Sequence, residues 1–174
     1  MLRLILLRHA KAIPYVGRDD YERTLTERGR ADAALIAAYI AEQTPEPDVI
    51  LHSGAARTRE TAEIIARKLS PTVEMDSEPD IYDADRPSLL RLLRDLPEDS
   101  PTALIVGHNP GLADVARTLA GDGDAALLAK LAVKFPTSGV AILEFSGHAW
   151  RDIRPRAGRL VAFVTPSALG GEDA

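Results

Sequence analysis

The chain has 174 residues, 45% of them hydrophobic and 27% charged, the profile of one globular domain long enough to bury a sizeable core. A count of 21 basic against 26 acidic residues gives a formal net charge of −5, which disfavours a generally basic nucleic-acid binder but leaves room for a local positive pocket. The absence of cysteine excludes disulfides, thiolate metal sites and cysteine nucleophiles, and 5% aromatics are too few for a base-stacking platform.

The first apolar run, Leu4 to Leu7, is bounded by Arg3 and Arg8. It is far too short for a signal segment or a membrane span, so no membrane contact and a cytoplasmic location are expected. The same run reads as a strand buried on both faces. Thr26 then caps a helix reaching about Gln43, ended by Pro45 and Pro47. Val49 to Leu51 is a second strand. From about Ala56 to Leu69 a second helix places Ala62, Ile65, Ala66 and Leu69 on one face. Val73 to Met75 reads as a short strand and residues 76–86 as a polar, acidic loop. Pro87 starts a Leu-rich helix that Pro97 stops, and Ala103 to Val106 is another buried strand.

Asn109 is expected to cap, and Pro110 to open, a helix carrying Leu112, Val115, Ala116 and Leu119 on one face and closed by Gly121. Gly139 to Phe145 and Leu160 to Val164 read as strands that pair antiparallel at one end of the sheet. Residues 1–168 form one domain in this reading, and residues 169–174 a disordered tail. The alternation of strands and helices predicts an α/β sandwich with a largely parallel central sheet.

In an open sheet of this kind, ligands bind beyond the carboxyl ends of the strands. Arg8 and His9 follow the first strand; His52 and Ser53 follow the second, with Arg57 in the next helical turn; Gly107 and His108 follow the strand at 103–106. Arg57 shares the inward side of its helix with Thr61 and Ile65, whereas Arg59, Glu63 and Arg67 form a charged row typical of a solvated face. Two guanidiniums and a helix N-terminus suit a dianion such as phosphate. Two histidines beside it suggest reaction as well as binding. A neutral imidazole can attack phosphorus to form a phosphohistidine intermediate that water hydrolyses. Arg8 and Arg57 should lower the pKa of His9 and stabilise the transferring phosphoryl group, so that no metal or other cofactor is required.

These residues carry a resemblance. Leu7-Arg8-His9-Ala10 after an N-terminal strand resembles the Arg-His-Gly or Arg-His-Ala signature of the histidine phosphatase (phosphoglycerate mutase-like) superfamily. The run from Ser53 to Ala62 is similar to its second element, and Val106-Gly107-His108-Asn109-Pro110 to its third, with the second histidine. The resemblance spans roughly residues 2–165 and implies a three-layer α/β/α sandwich. The compact length and Arg23-Thr24-Leu25-Thr26-Glu27-Arg28-Gly29 look most like the SixA-type branch, whose members dephosphorylate phosphohistidine on proteins. It implies Arg8, His9, Arg57 and His108 as the phosphate pocket, His9 as nucleophile and Arg23 at the mouth. The implied partner is a histidine-phosphorylated protein.

Many phosphomonoesterases of the superfamily carry a carboxylic acid between the second and third motifs. Here that region is short, and no carboxylate in it can be matched to the family acid. Phosphohistidine needs less help from such an acid than an ester does, because imidazole leaves readily once protonated. The enzyme alternative is a phosphomonoesterase for a sugar or nucleotide phosphate, using Asp80, Asp83 or Asp85 as acid. A non-catalytic phosphate- or partner-binding module is a third reading, opposed by the intact set of Arg8, His9, Arg57 and His108. His52 reads equally as a strand-end residue or as a support behind the site, and His148 as exposed in a turn. Ser53 is a helix cap or supporting hydroxyl, with no Gly-x-Ser-x-Gly elbow to make it a nucleophile. Neither dinucleotide nor nucleoside triphosphate motifs occur, and four scattered histidines argue against a zinc site. The Ala-rich helix surfaces fit core or interface, so the sequence assigns no oligomeric state.

Overall fold

A computed structural model describes residues 1–17 and 19–171. The strands are β1 (Leu2–Arg8), β2 (Val49–His52), β3 (Glu74–Ser77), β4 (Thr102–Gly107), β5 (Ala120–Gly123), β6 (Val140–Phe145) and β7 (Gly158–Val164). The α-helices are α1 (Glu27–Gln43), α2 (Ala56–Lys68), α3 (Arg86–Arg94), α4 (Gly111–Leu119) and α5 (Ala125–Val133). The seven strands form one sheet in the order β3-β2-β4-β1-β6-β7-β5. All pairings are parallel except β1 with β6 and β6 with β7.

The layers follow from the alternation of side chains along each strand. Leu2, Leu4 and Leu6 of β1 pack with Ala103 and Ile105 of β4 and Leu143 of β6 against Leu89 and Leu93 of α3 and Leu112 and Val115 of α4. Ile5 and Leu7 face the other way, with Leu104, Val106 and Ile142, onto Ile36 and Ile40 of α1 and Ala62 and Ile65 of α2. Both faces of the central strands are thus buried, which is why they read as unbroken apolar runs. Replacing Leu4 or Ile5, each fully buried, by Ala would cost roughly 2–5 kcal/mol.

Local signals account for most boundaries. Thr26 caps α1 by accepting from the Gly29 N–H, and its hydroxyl donates to the Lys11 carbonyl. Glycine is required at 29 because a Cβ there would lie 2.1 Å from that carbonyl oxygen. Asp85 caps α3 through the Ser88 N–H. Thr61 locks α2 to the end of β1, its Oγ1 accepting from the Ala10 N–H at 3.0 Å.

Four expectations are corrected. Asn109 does not cap α4: Pro110 occupies the cap position, and the Asn109 amide instead donates to the Phe135 carbonyl at 2.8 Å. The acidic loop begins inside β3 and includes a 3-10 turn at Pro79–Ile81. β6 and β7 pair antiparallel as expected, but not at the end of the sheet: β6 lies beside β1, and the edge beyond β7 is taken by β5, paired in parallel. Gly121 falls within β5, and α5 follows it, capped by Asp124. Gly170 has φ +88 after a short 3-10 turn, while residues 172–174 of the expected tail lie outside the described residues. No helix among the described residues is long and apolar enough to cross a membrane.

Candidate active site

Parallel pairing brings three loops to one edge. Arg8 stands opposite Gly107, and His52 opposite Val106, so the residues that follow β1, β2 and β4 leave the sheet together. His9 donates its backbone N–H to the Gly107 carbonyl at 3.1 Å, and its ring lies 5.3 Å from that of His108. Arg57 reaches the same point from the first turn of α2, with Nη2 3.3 Å from His108 Nδ1. Arg8, His9, Arg57 and His108 therefore form one cluster. Arg59 is turned away on the exposed row with Glu63.

The hydrogen bonds fix which atom of His9 can react. His9 Nδ1 lies 2.8 Å from the Ala10 carbonyl oxygen, an acceptor, so this nitrogen carries the proton and Nε2 keeps its lone pair. The ring is 8% exposed and its pKa is pushed down to about 3. Burial is the largest cause, opposed by the Ala10 bond, with His108, Arg57 and Arg8 lowering it further. The direction matches the sequence expectation, but desolvation outweighs the two arginines.

His108 is oriented by a relay of hydroxyls. Its Nε2 is 2.7 Å from Ser53 Oγ, which is 2.8 Å from Thr58 Oγ1, and Thr58 donates to the Ala55 carbonyl. With the Thr58 hydrogen committed there, Ser53 donates to Thr58 and accepts from His108 Nε2–H. The lone pair of His108 Nδ1 thus faces Arg57. Burial first, and then Arg57, lower the His108 pKa to about 4. Both imidazoles are neutral near pH 7.

Arg8 and Arg57 supply the positive charge. Arg8 Nη1 donates to the Phe135 carbonyl at 3.1 Å, and Arg57 Nη1 to the Asp20 carbonyl at 2.8 Å. The Nε–H of each guanidinium is buried and has no protein partner, which suits an anion arriving between them. Burial, and secondarily Arg57, lower the pKa of Arg8.

The sequence reading missed the residues that hold Arg57. The Asp20 carboxylate accepts from Arg57 Nη2 at 3.0 Å, from the Tyr82 hydroxyl at 2.7 Å and from Arg23 Nε at 2.9 Å. These bonds, Tyr82 foremost, bring its pKa down to about 2, while the same bond pushes Tyr82 up to about 12. Tyr82 also meets the His108 ring edge-on at 5.5 Å. Arg23 reaches the site through Asp20, and its Nη1 donates to the Ile13 carbonyl. Asp20 sits in the run Asp19-Asp20-Tyr21-Glu22, which carries no periodic or motif signal to set it apart from a solvated acidic surface.

Of the remaining candidates, His52 accepts from the Gly54 N–H and is a strand-end residue. His148 is exposed and lies 2.9 Å from the N-terminal amine. Asp80 and Asp83 are exposed, and Asp85 spends its carboxylate on the α3 cap.

The sequence profile of the histidine phosphatase superfamily, branch 1, matches residues 4–85. An uncharacterised protein of Mycobacterium tuberculosis is 33% identical over 163 residues, covering 92% of this chain and 99% of the relative. Two solved structures are of candidate phosphohistidine phosphatases named SixA. That from Agrobacterium tumefaciens is 33% identical with a TM-score of 0.79, covering 95% of this chain and 98% of the other. That from Nakamurella multipartitia is 26% identical with a TM-score of 0.83, covering 95% and 96%. Sequence, fold and the order of the strand-end motifs agree, and the chain belongs to the histidine phosphatase superfamily, in its SixA-type branch.

Proposed function

We propose that the protein is a metal-independent phosphatase that hydrolyses phosphohistidine on another protein, with His9 as the nucleophile. The observation that carries this reading is the His9 ring, neutral, pinned through Nδ1 to the Ala10 carbonyl, and beside two guanidiniums with unpartnered Nε–H groups. In the first step His9 Nε2 forms a bond to phosphorus as the P–N bond of the substrate breaks. A substrate ring protonated on its other nitrogen leaves as neutral imidazole, so no further proton is needed. Arg8 and Arg57 take up the charge on the equatorial oxygens. His108, turned by Ser53, lines the same oxygens. Phospho-His9 keeps its Nδ1–H on Ala10 and is therefore a cationic imidazolium, itself a good leaving group. Water then attacks phosphorus, the P–Nε2 bond breaks, and inorganic phosphate departs with His9 restored.

The carboxylates favour phosphohistidine over a phosphate ester. An alkoxide leaving group needs a proton from a poised acid. Asp20, the carboxylate that touches the cluster, stays ionised at working pH, and the acids of the 76–85 loop are exposed or committed to a helix cap. The mouth suits a macromolecule: Ile13, Tyr15 and Val16 are exposed on the segment that Arg23 ties to Asp20. The homologous Agrobacterium protein, described as a candidate phosphohistidine phosphatase, points the same way.

The test is phosphate release, with EDTA present, from a histidine-phosphorylated phosphotransfer protein and from p-nitrophenyl phosphate, by wild type and His9→Ala. Turnover of the phosphoprotein that depends on His9, with poor ester hydrolysis, is the expected result. Efficient ester hydrolysis would replace this reading with a small-molecule phosphomonoesterase.

A further inference from the structure

Beside the phosphate cluster, and sharing Arg8 with it, lies a cavity of about 270 Å³. Four cations from three separate stretches of chain line it: Arg8 at the end of β1 with Lys11 just beyond, Arg28 in the first turn of α1, and Lys134 after α5. One carboxylate, Asp32, also lines it, but Asp32 is buried and ion-paired with Arg28 at 3.7 Å. Lys11 and Lys134 are exposed, and among the described residues neither they nor Arg8 is paired with a carboxylate. In a chain of net charge −5, three unpaired cations converging on one hollow are a local reversal of sign. Such a reversal attracts an anion and raises its local concentration.

Arg8 belongs to both the phosphate cluster and this cavity, so whatever fills the cavity lies next to the reacting phosphoryl group. The cavity continues into an apolar groove of about 660 Å³, lined by Val133, Pro136 and Phe163 together with Lys130 and Lys134. Val133 is 83% exposed there. Three of the chain's four lysines, Lys11, Lys130 and Lys134, thus border one continuous surface at the rim of the site. A free metabolite would use the cavity alone. A cationic hollow running into an open apolar groove with a basic rim fits a protein surface, with acidic side chains set beside an apolar patch.

Resting on the phosphohistidine reading above, we propose that this cavity and groove dock an acidic segment of the phosphoprotein substrate, and so select which phosphohistidines are hydrolysed. The probes are two synthetic phosphohistidine peptides, identical except that three Asp residues flanking the phosphohistidine in one are Asn in the other, with phosphoramidate as a small control. Wild type and Lys11→Glu/Lys134→Glu are compared at low and high salt. Both lysines are exposed, so the double variant should fold. At low salt wild type should prefer the Asp peptide by about tenfold in kcat/KM, a preference that high salt erases. The double variant should lose that preference, while its hydrolysis of phosphoramidate stays unchanged.

Equal use of the two peptides by wild type, with His9-dependent phosphoramidate turnover intact, would overturn the docking proposal and leave the phosphohistidine reading standing. A lysine-dependent preference shown only for a small bisphosphate over its monophosphate would overturn it too, assigning the cavity to a second phosphate. Failure of wild type on both peptides and on phosphoramidate would overturn both readings together.

Discussion

Asp20 engages Arg57 at both terminal nitrogens: the Arg57 Nη1 donates to the Asp20 carbonyl at 2.8 Å and Nη2 to its carboxylate at 3.0 Å. A guanidinium held this way cannot rotate, and it presents its buried Nε–H in a single direction. The carboxylate is fixed in turn by Tyr82 and Arg23, which come from segments far apart in the chain. Asp20 thus links the acidic loop, the mouth segment and the phosphate cluster.

Asp20→Asn should separate orientation from charge. The amide makes a weaker bond to Arg57, and loss of a hydrogen bond to a charged group costs about 1.5–3 kcal/mol, so kcat/KM should fall roughly 10- to 100-fold. Removing the negative charge makes the cluster more positive, so inorganic phosphate should inhibit at lower concentration. Opposite movements of turnover and phosphate affinity identify Asp20 as a positioning residue. A parallel loss of both, with a lowered melting temperature, would reduce it to a structural one.

Ser53→Ala tests the relay behind His108. Without the hydroxyl, His108 Nε2–H is left without its acceptor at a site where Ser53 is fully buried. An unsatisfied buried donor costs about 1–3 kcal/mol, enough to shift the ring to its other tautomer or tilt it. The expected result is a fall of about tenfold in kcat with KM little changed. Nitrogen chemical shifts of the His108 ring should show Nε2 protonated in wild type and a mixture in the variant.

Protonation of the two histidines sets the acid limit of the fold. Their folded pKa values, about 3 for His9 and about 4 for His108, lie below the unfolded value of 6.5. The unfolded chain therefore binds more protons, and stability falls as pH drops from about 6.5 toward the folded values. At pH 5 each histidine should cost about 2 kcal/mol relative to pH 8. Chemical denaturation of wild type and His9→Gln at both pH values checks this. The variant should lose less stability between them, and equal losses would show that His9 is not held neutral by the fold. For the same reason kcat/KM should show no histidine limb near pH 6.5.

Much of the candidate cluster was legible because it sits where strands end. A parallel sheet sends Arg8 with His9, Ser53 and Gly107 with His108 to one edge, and the fourfold step from Arg57 to Ile65 fixes which side of α2 faces in. Asp20 and Tyr82 were not legible, since tertiary packing alone brings an acidic run and a loop tyrosine onto Arg57. Asn109 was misread for a related reason: its amide has a partner in Phe135, remote in sequence, that outcompetes the local cap. The helix at Ala125–Val133 carries no sequence signal beyond its cap, Asp124, which accepts from the Ala126 and Leu127 N–H groups. Its run Ala125-Ala126-Leu127-Leu128-Ala129 is apolar all round and shows no amphipathic period.

Gly54 joins backbone conformation to the mouth of the site, and its substitution is a separable test. Its φ is +85, and a Cβ built there would lie 2.2 Å from the Tyr21 hydroxyl. Tyr21 follows Asp20 directly and stacks edge-on against Tyr82 at 5.1 Å, so displacing it disturbs both groups that hold Arg57. Gly54→Ala should therefore lose activity and, from the left-handed backbone alone, about 1–2 kcal/mol of stability. Tyr21→Phe removes the atom in closest contact and forfeits only a long bond, 3.4 Å, to the Ser53 carbonyl. The double variant should regain a large part of the activity lost in Gly54→Ala while keeping the backbone cost in its melting temperature. Additive losses of activity in the cycle would show that Gly54 does not reach Asp20 through Tyr21 and acts through its φ or through Ser77, whose Oγ a Cβ would meet at 2.9 Å.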